Sequence, residues 1–160
     1  ILIYLAEKAG KFMPMSGNVR YDVIQWLSFQ MSNLGPTCGQ AHHFRDAAQD
    51  RVPYAIQRFT DEAERFYRVI DQRLQENKYF AGDEYSIADM AFWPWVRVHR
   101  YHGQAWHDFP NLKKWFDRVA GRPAVQEGMK LLYDKRAKTR ESLDAKSREI
   151  LFGNTQMIKR

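Results

Sequence analysis

The sequence predicts an all-α fold, and three observations carry that prediction. Apolar residues recur at three- and four-residue spacing along almost the whole 160-residue chain. Alternating strand patterns bounded by turn dipeptides are missing. A helix-start signature, "YSIADM", opens the apolar run "AFWPWV" at residues 91–96. With 44% apolar residues and no break in composition, the chain supports the core of one domain.

The elements follow in order. "ILIYLAEKAG" reads as a helix without a cap that stops at Gly10, with Ile1, Leu2, Tyr4 and Leu5 on one face in need of a partner surface. A second helix is expected over Tyr21 to Met31, ended or sharply bent by the two glycines and the proline of "NLGPTCGQ", with a second arm over Gln40 to Phe44. The longest pattern runs from Arg51 to Leu74, where Val52, Ala55, Ile56, Phe59, Ala63, Phe66, Tyr67, Ile70 and Leu74 form a core-facing stripe. A helix from Ser86 to about His102 comes next. Pro110 then suits a first helical turn, and Gly121 a left-handed stop. A further helix starts near Pro123 and runs into "LLYDKR", and the last spans Leu143 to Leu151 and closes at Gly153.

The start at Ser86 has a definite chemistry. Its hydroxyl is placed to accept from the Asp89 amide, and the Asp89 carboxylate to reach back to the Ser86 N–H, with Tyr85 and Met90 as the accompanying apolar staple. Ser86 and Asp89 are therefore structural capping residues. A serine beside an acid invites a nucleophilic reading, but no histidine is close to them in sequence and the cap already accounts for both. Pro94 lies eight residues past the cap and should bend the helix or be offset by packing.

The formal charge of +6 raises the question of nucleic acid, and its distribution answers it. From Lys130 to Arg160 nine Lys/Arg face four Asp/Glu, so this mixed-sign tail carries most of the excess, and no helix-turn-helix or finger spacing accompanies it. No nucleic-acid partner is expected. No run of about 18 apolar residues is present to cross a bilayer, and the apolar start lacks the basic lead of a signal peptide. The expectation is a cytoplasmic chain with no membrane partner.

Cys38 is the only cysteine, which excludes an internal disulfide framework. It reads either as a small buried residue or as a redox thiol whose pKa a following helix would lower. His99 and His102, at i and i+3, are two imidazoles without the third or fourth ligand that zinc wants, so no metal is assigned. Trp26, Phe29, Phe92, Trp93 and Trp95 belong to a core, with an apolar substrate wall as the alternative.

"YSIADMAFWPW" followed by "FPNLKKWFDRVAGRPAV" closely resembles the C-terminal domain of cytosolic glutathione transferases. "YLAEKAGKFMP" is similar to the last helix of that family's thioredoxin-like domain and its linker. "LGPTCGQAHHF" with "PYAIQRFTDEAERFYRVIDQRL" is similar to the bacterial Nu-class, disulfide-bond reductase group and to fungal nitrogen-regulator relatives. The resemblance covers residues 1 to about 133. It divides the chain into a remnant of the thioredoxin-like domain and linker over 1–15, the helical domain over 16–133 and a basic extension over 134–160, with most of the N-terminal domain missing.

The fold implied is the glutathione transferase C-terminal helical bundle, and the activity is glutathione conjugation or glutathione-dependent disulfide reduction by the intact homodimer. Its partners are glutathione, as substrate, and a small electrophile or disulfide. No catalytic residue falls in this chain, since the family's thiolate-stabilising group lies on the thioredoxin-like domain. Arg58, in the family's "AI.RY" segment, is implied to reach the glutathione of the adjacent subunit; otherwise it is an ordinary surface arginine. Trp26, Gln40, His42 and His43 are implied to line the electrophile cleft, with only one of the two adjacent imidazoles facing it. The alternative function is a helical interaction module of the same fold without catalysis.

Overall fold

The computed structural model describes residues 1–131 and 144–153. It is built from helices α1 (Leu2–Ala9), α2 (Asn18–Phe29), α3 (Gly35–His42), α4 (Pro53–Glu76), α5 (Ile87–Val96), α6 (Pro110–Ala120), α7 (Pro123–Lys130) and α8 (Ala145–Phe152). The described residues fall into two compact units, 1–119 and those from Ala120 onward. Among the described residues no strand is present, and no helix is long and apolar enough to cross a membrane.

In the first unit the chain does not break at "NLGPTCGQ". Gln30–Leu34 form a π-helical turn between α2 and α3, with Gln30, Leu34 and Gly35 all in right-handed helical conformation, and a second π-turn, His43–Ala47, follows α3. Of the two expectations here, a helix end is thus corrected, since the backbone stays helical: the wider turn shifts the hydrogen-bond register ahead of Pro36, whose ring lacks the N–H that a regular helix would need. A Cβ at Gly35 would stand 3.1 Å from both the carbonyl oxygen and the side-chain Nε2 of Gln30, tighter than an ordinary contact, so the glycine eases the close approach to Gln30; the Trp95 ring, at 3.5 Å, would be in ordinary contact.

Helix α4 starts at Pro53 behind an extended Val52, the conformation that a residue before proline favours. Ala63, Phe66, Tyr67, Ile70 and Leu74 are buried as the stripe predicts, whereas Val52 is exposed and Ala55, Ile56 and Phe59 are half-buried. The stripe enters the core only from its third turn. Phe44 stacks on Phe59 at 5.6 Å and 4°, and Arg45 donates to Thr60 Oγ1 at 3.3 Å, so the end of the α3 segment meets the beginning of α4.

Two packed sets lie within the core of this unit. Ala6, Met13, Val23, Leu27, Ala81 and Ile87 form an aliphatic cluster, with Leu2 and Met90 packed against it. Next to it, Phe80 stacks on Phe92 at 3.9 Å and meets Trp115 edge-on at 5.0 Å, while Trp26 closes on Phe80 at 5.4 Å. In α1 the faces separate differently from the expectation: Leu2 and Ala6 turn inward, while Ile1, Ile3, Tyr4 and Leu5 are exposed. Gly10, at φ 61°, ends the helix with its N–H on the Glu7 carbonyl.

The single helix expected over Ser86–His102 is two elements. Helix α5 ends at Val96, two residues past Pro94, and His99–His102 form a separate 3₁₀ turn closed by Gly103 at φ 79°. Asp71 of α4 caps α6 from a distance, its Oδ1 accepting from Leu112 N at 2.8 Å and its Oδ2 from Asn111 Nδ2 at 3.0 Å. Helix α6 ends at Ala120, with a turn at Gly121.

In the second unit α7 stops at Lys130, with Leu131 at ψ 128° outside the helical region, so the helix does not enter "LLYDKR"; residues 132–136 lie outside the described residues. Helix α8 begins one residue after Asp144, whose Oδ1 accepts from Ser147 N at 2.7 Å, and closes at Gly153.

Candidate functional site

The start of α5 is a buried polar knot. Ser86 Oγ accepts from Ala88 N at 3.3 Å and both halves of the capping box are present, Asp89 Oδ2 accepting from Ser86 N at 2.9 Å and from the Ser86 hydroxyl at 3.0 Å. The other oxygen, Oδ1, accepts from Trp115 Nε1 at 2.8 Å and from Phe80 N at 3.2 Å. Burial pushes the Asp89 carboxyl above its ordinary range while these four donors pull it back. Every lone pair of this group is committed to holding α5, α6 and the Phe80 turn together, which leaves nothing for chemistry on a substrate. Tyr85 meets Phe12 and Tyr79 edge-on.

A second buried set lies where α3, α4 and the 3₁₀ turn meet. The Tyr67 hydroxyl and His102 Nδ1 are 3.0 Å apart. His102 Nε2 and His99 Nδ1 have no hydrogen-bond partner among the described residues. Burial pushes His102 down to about 3, and the Arg45 guanidinium and any charge on the neighbouring His42 and His99 rings act in the same direction, so its imidazole is neutral at physiological pH. Cys38 is fully buried nearby and its thiol is pushed up to about 12, which removes the thiolate that a redox role requires. Among the described residues no group of three or more His, Cys, Asp or Glu side chains is placed to hold a metal ion.

The cleft candidates do not share one environment. Trp26 is 9% exposed and sits among Phe29, Phe80 and Phe92, with the Arg73 guanidinium 5.4 Å above its ring. Gln40 is exposed on α3. His42 stacks on Tyr101 at 4.5 Å with its Nε2 3.7 Å from Asp46, while His43 turns to Phe44 at 5.1 Å. Arg58 lies on the outer face of α4 with its side chain 55% exposed, and its contact with Glu62 is a single long one, Nη1 to Oε2 at 3.5 Å. The sequence reading missed the Asp71 cap, the Tyr67–His102 pair and the Trp115–Asp89 bond. All join residues 26 to 41 positions apart, for which periodicity carries no signal.

An all-helical domain with a buried capping box at its centre matches a known class. Residues 53–123 match the family "Glutathione S-transferase, C-terminal domain". The chain belongs to the glutathione transferase family and carries its C-terminal helical domain. It is 41% identical over 129 residues to the disulfide-bond oxidoreductase YfcG of Escherichia coli (strain K12), covering 81% of this chain and 60% of that protein. It is 40% identical over 136 residues to the disulfide-bond oxidoreductase YghU of the same organism, covering 80% and 47%. A glutathione transferase from Burkholderia graminis, solved with two glutathione molecules bound per subunit, superposes with a TM-score of 0.77 at 37% identity, over 82% of this chain and 58% of that one. The chain thus spans about half to three fifths of the length of these relatives.

Proposed function

We propose that the chain is the helical half of a cytoplasmic, homodimeric, Nu-class-like glutathione transferase that reduces disulfides with glutathione or conjugates glutathione to a small electrophile. In this reading residues 1–15 belong to the thioredoxin-like domain and its linker, 16–133 are the helical domain and 134–160 are a basic extension. The observation that carries it is the similarity to two disulfide-bond oxidoreductases at 41% and 40% identity, joined to a glutathione-bound structural neighbour.

Arg58 holds a carboxylate of the glutathione in the adjacent subunit. Its exposed guanidinium, touching Glu62 at only 3.5 Å, has donors to spare for a bidentate contact. Gln40, His42 and His43 wall the electrophile site, and Trp26 backs it from the core. No thiolate-stabilising residue is assigned to this chain, and its groups support that reading. Ser86 and Asp89 are committed to each other, Cys38 is buried as a thiol, and His102 is buried and neutral.

The test is an assay of the protein at its full natural length with glutathione and either a small disulfide or an activated aryl halide. Turnover at ordinary enzyme rates is expected for one of them. Absence of turnover together with absence of glutathione binding would favour the interaction-module reading.

A further inference from the structure

On the outer face of α4, Glu62 lies between two guanidinium groups that it does not share equally. Arg65, three residues on, takes both oxygens, with Nε 3.0 Å from Oε2 and Nη2 2.7 Å from Oε1. Arg58, four residues back, reaches only Oε2, through Nη1 at 3.5 Å. The difference has two physical causes. A guanidinium fork binds a carboxylate best through two parallel contacts, and Arg65 has that geometry. An i,i+4 pair with the cation on the N-terminal side, as Arg58 has to Glu62, is the weaker orientation on a helix. Glu62 is held ionised, foremost by its Arg65 hydrogen bond and to a lesser degree by both positive charges.

An ionised carboxylate one turn from Arg58 is a built-in competitor for any carboxylate that a ligand brings there. From this geometry we infer that Arg65 is a positioning residue for the site at Arg58: by engaging both oxygens of Glu62 it leaves the Arg58 fork open to the ligand. The inference rests on the assignment of Arg58 to a glutathione carboxylate. Without Arg65, Glu62 swings fully onto Arg58 and must be displaced before the ligand binds.

The test is calorimetric titration of glutathione into the protein at full natural length and physiological ionic strength. Arg65→Ala is expected to raise Kd about 2- to 5-fold, the scale of one exposed ion pair, with an unchanged melting temperature. In a Glu62→Gln background the same substitution should leave Kd where it was, a cancellation that a merely structural role of Arg65 would not produce. Equal losses in both backgrounds would show that Arg65 attracts the ligand by its own charge and overturn the inference. So would no loss in either while Arg58→Ala still weakens binding. If Arg58→Ala itself leaves Kd unchanged, the Arg58 assignment fails first and takes the positioning role with it.

Discussion

Trp115 donates its indole N–H to Asp89 Oδ1 at 2.8 Å, joining the middle of α6 to the first turn of α5 inside the core. Trp115→Phe keeps most of the ring packing and deletes one of the four donors to a buried carboxylate, so it should cost about 1–3 kcal/mol. Ser86→Ala removes the cap oxygen and should cost ~1–2 kcal/mol. Asp89→Ala strands the N–H groups of Trp115, Phe80 and Ser86 together and should cost more than either. Urea melts of the three variants check the order; an Asp89→Ala protein as stable as the parent would remove this account of the α5 start.

How much of this was legible beforehand follows from the range over which each interaction acts. The Ser86–Asp89 box could be read because both partners lie within four residues and the pattern is local. The third and fourth donors to Asp89 could not, because only the fold brings Phe80 and Trp115 there. The proline of "NLGPTCGQ" was misleading for a related reason. A local rule makes Pro36 a breaker, but a π-turn directly upstream lets the helical backbone continue. The start of the α4 stripe failed in the other direction, since Val52 has the right spacing and yet lies outside the core. Of the candidate site, Arg58 was suggested by family resemblance alone; its weak tie to Glu62, which supports a ligand role, is visible only in the side-chain geometry.

Acid should unfold the protein partly through His102. Its folded-state pKa, near 3, lies below the unfolded value of about 6.5. Between these values the unfolded chain takes up a proton that the native state refuses, so stability is lost as pH falls from about 6.5 towards 3. The steepest contribution is about 1.4 kcal/mol per pH unit. His99, also lowered by burial, acts in the same direction, and Asp89, raised by burial, in the opposite one. Denaturant midpoints measured from pH 7 to pH 4 should fall less steeply for His102→Gln than for the parent. Parallel profiles would show that this imidazole does not govern the acid limb.

Cys38 should be inert in the native state, since burial holds its thiol near 12 and shields it from reagent. With a chromogenic disulfide at pH 8, the native protein should react many-fold more slowly than the same protein in denaturant. Equal rates would place the thiol in solvent.

Gly103 and Gly10 both adopt left-handed conformations, at φ 79° and 61°, but only one is crowded. A Cβ at Gly103 would meet the Arg45 guanidinium and the Thr60 methyl group at 2.8 Å, whereas one at Gly10 meets nothing within 4 Å. Gly10→Ala should therefore cost only the backbone preference, about 1–2 kcal/mol, and Gly103→Ala more. Thermal melts giving equal losses would mean that Arg45 and Thr60 move aside freely.

The central claim is that this helical domain takes part in holding glutathione through Arg58, and glutathione affinity at that position tests it most directly. In the full-length protein Arg58→Ala should raise the calorimetric Kd roughly 10- to 150-fold, the value of one charge-assisted bidentate contact, with the melting temperature unchanged. Arg58→Lys, which keeps the charge and loses the fork, should fall between the two. A single Kd shared by Arg, Lys and Ala at position 58 would contradict the claim and leave Arg58 a solvated residue on the surface of α4.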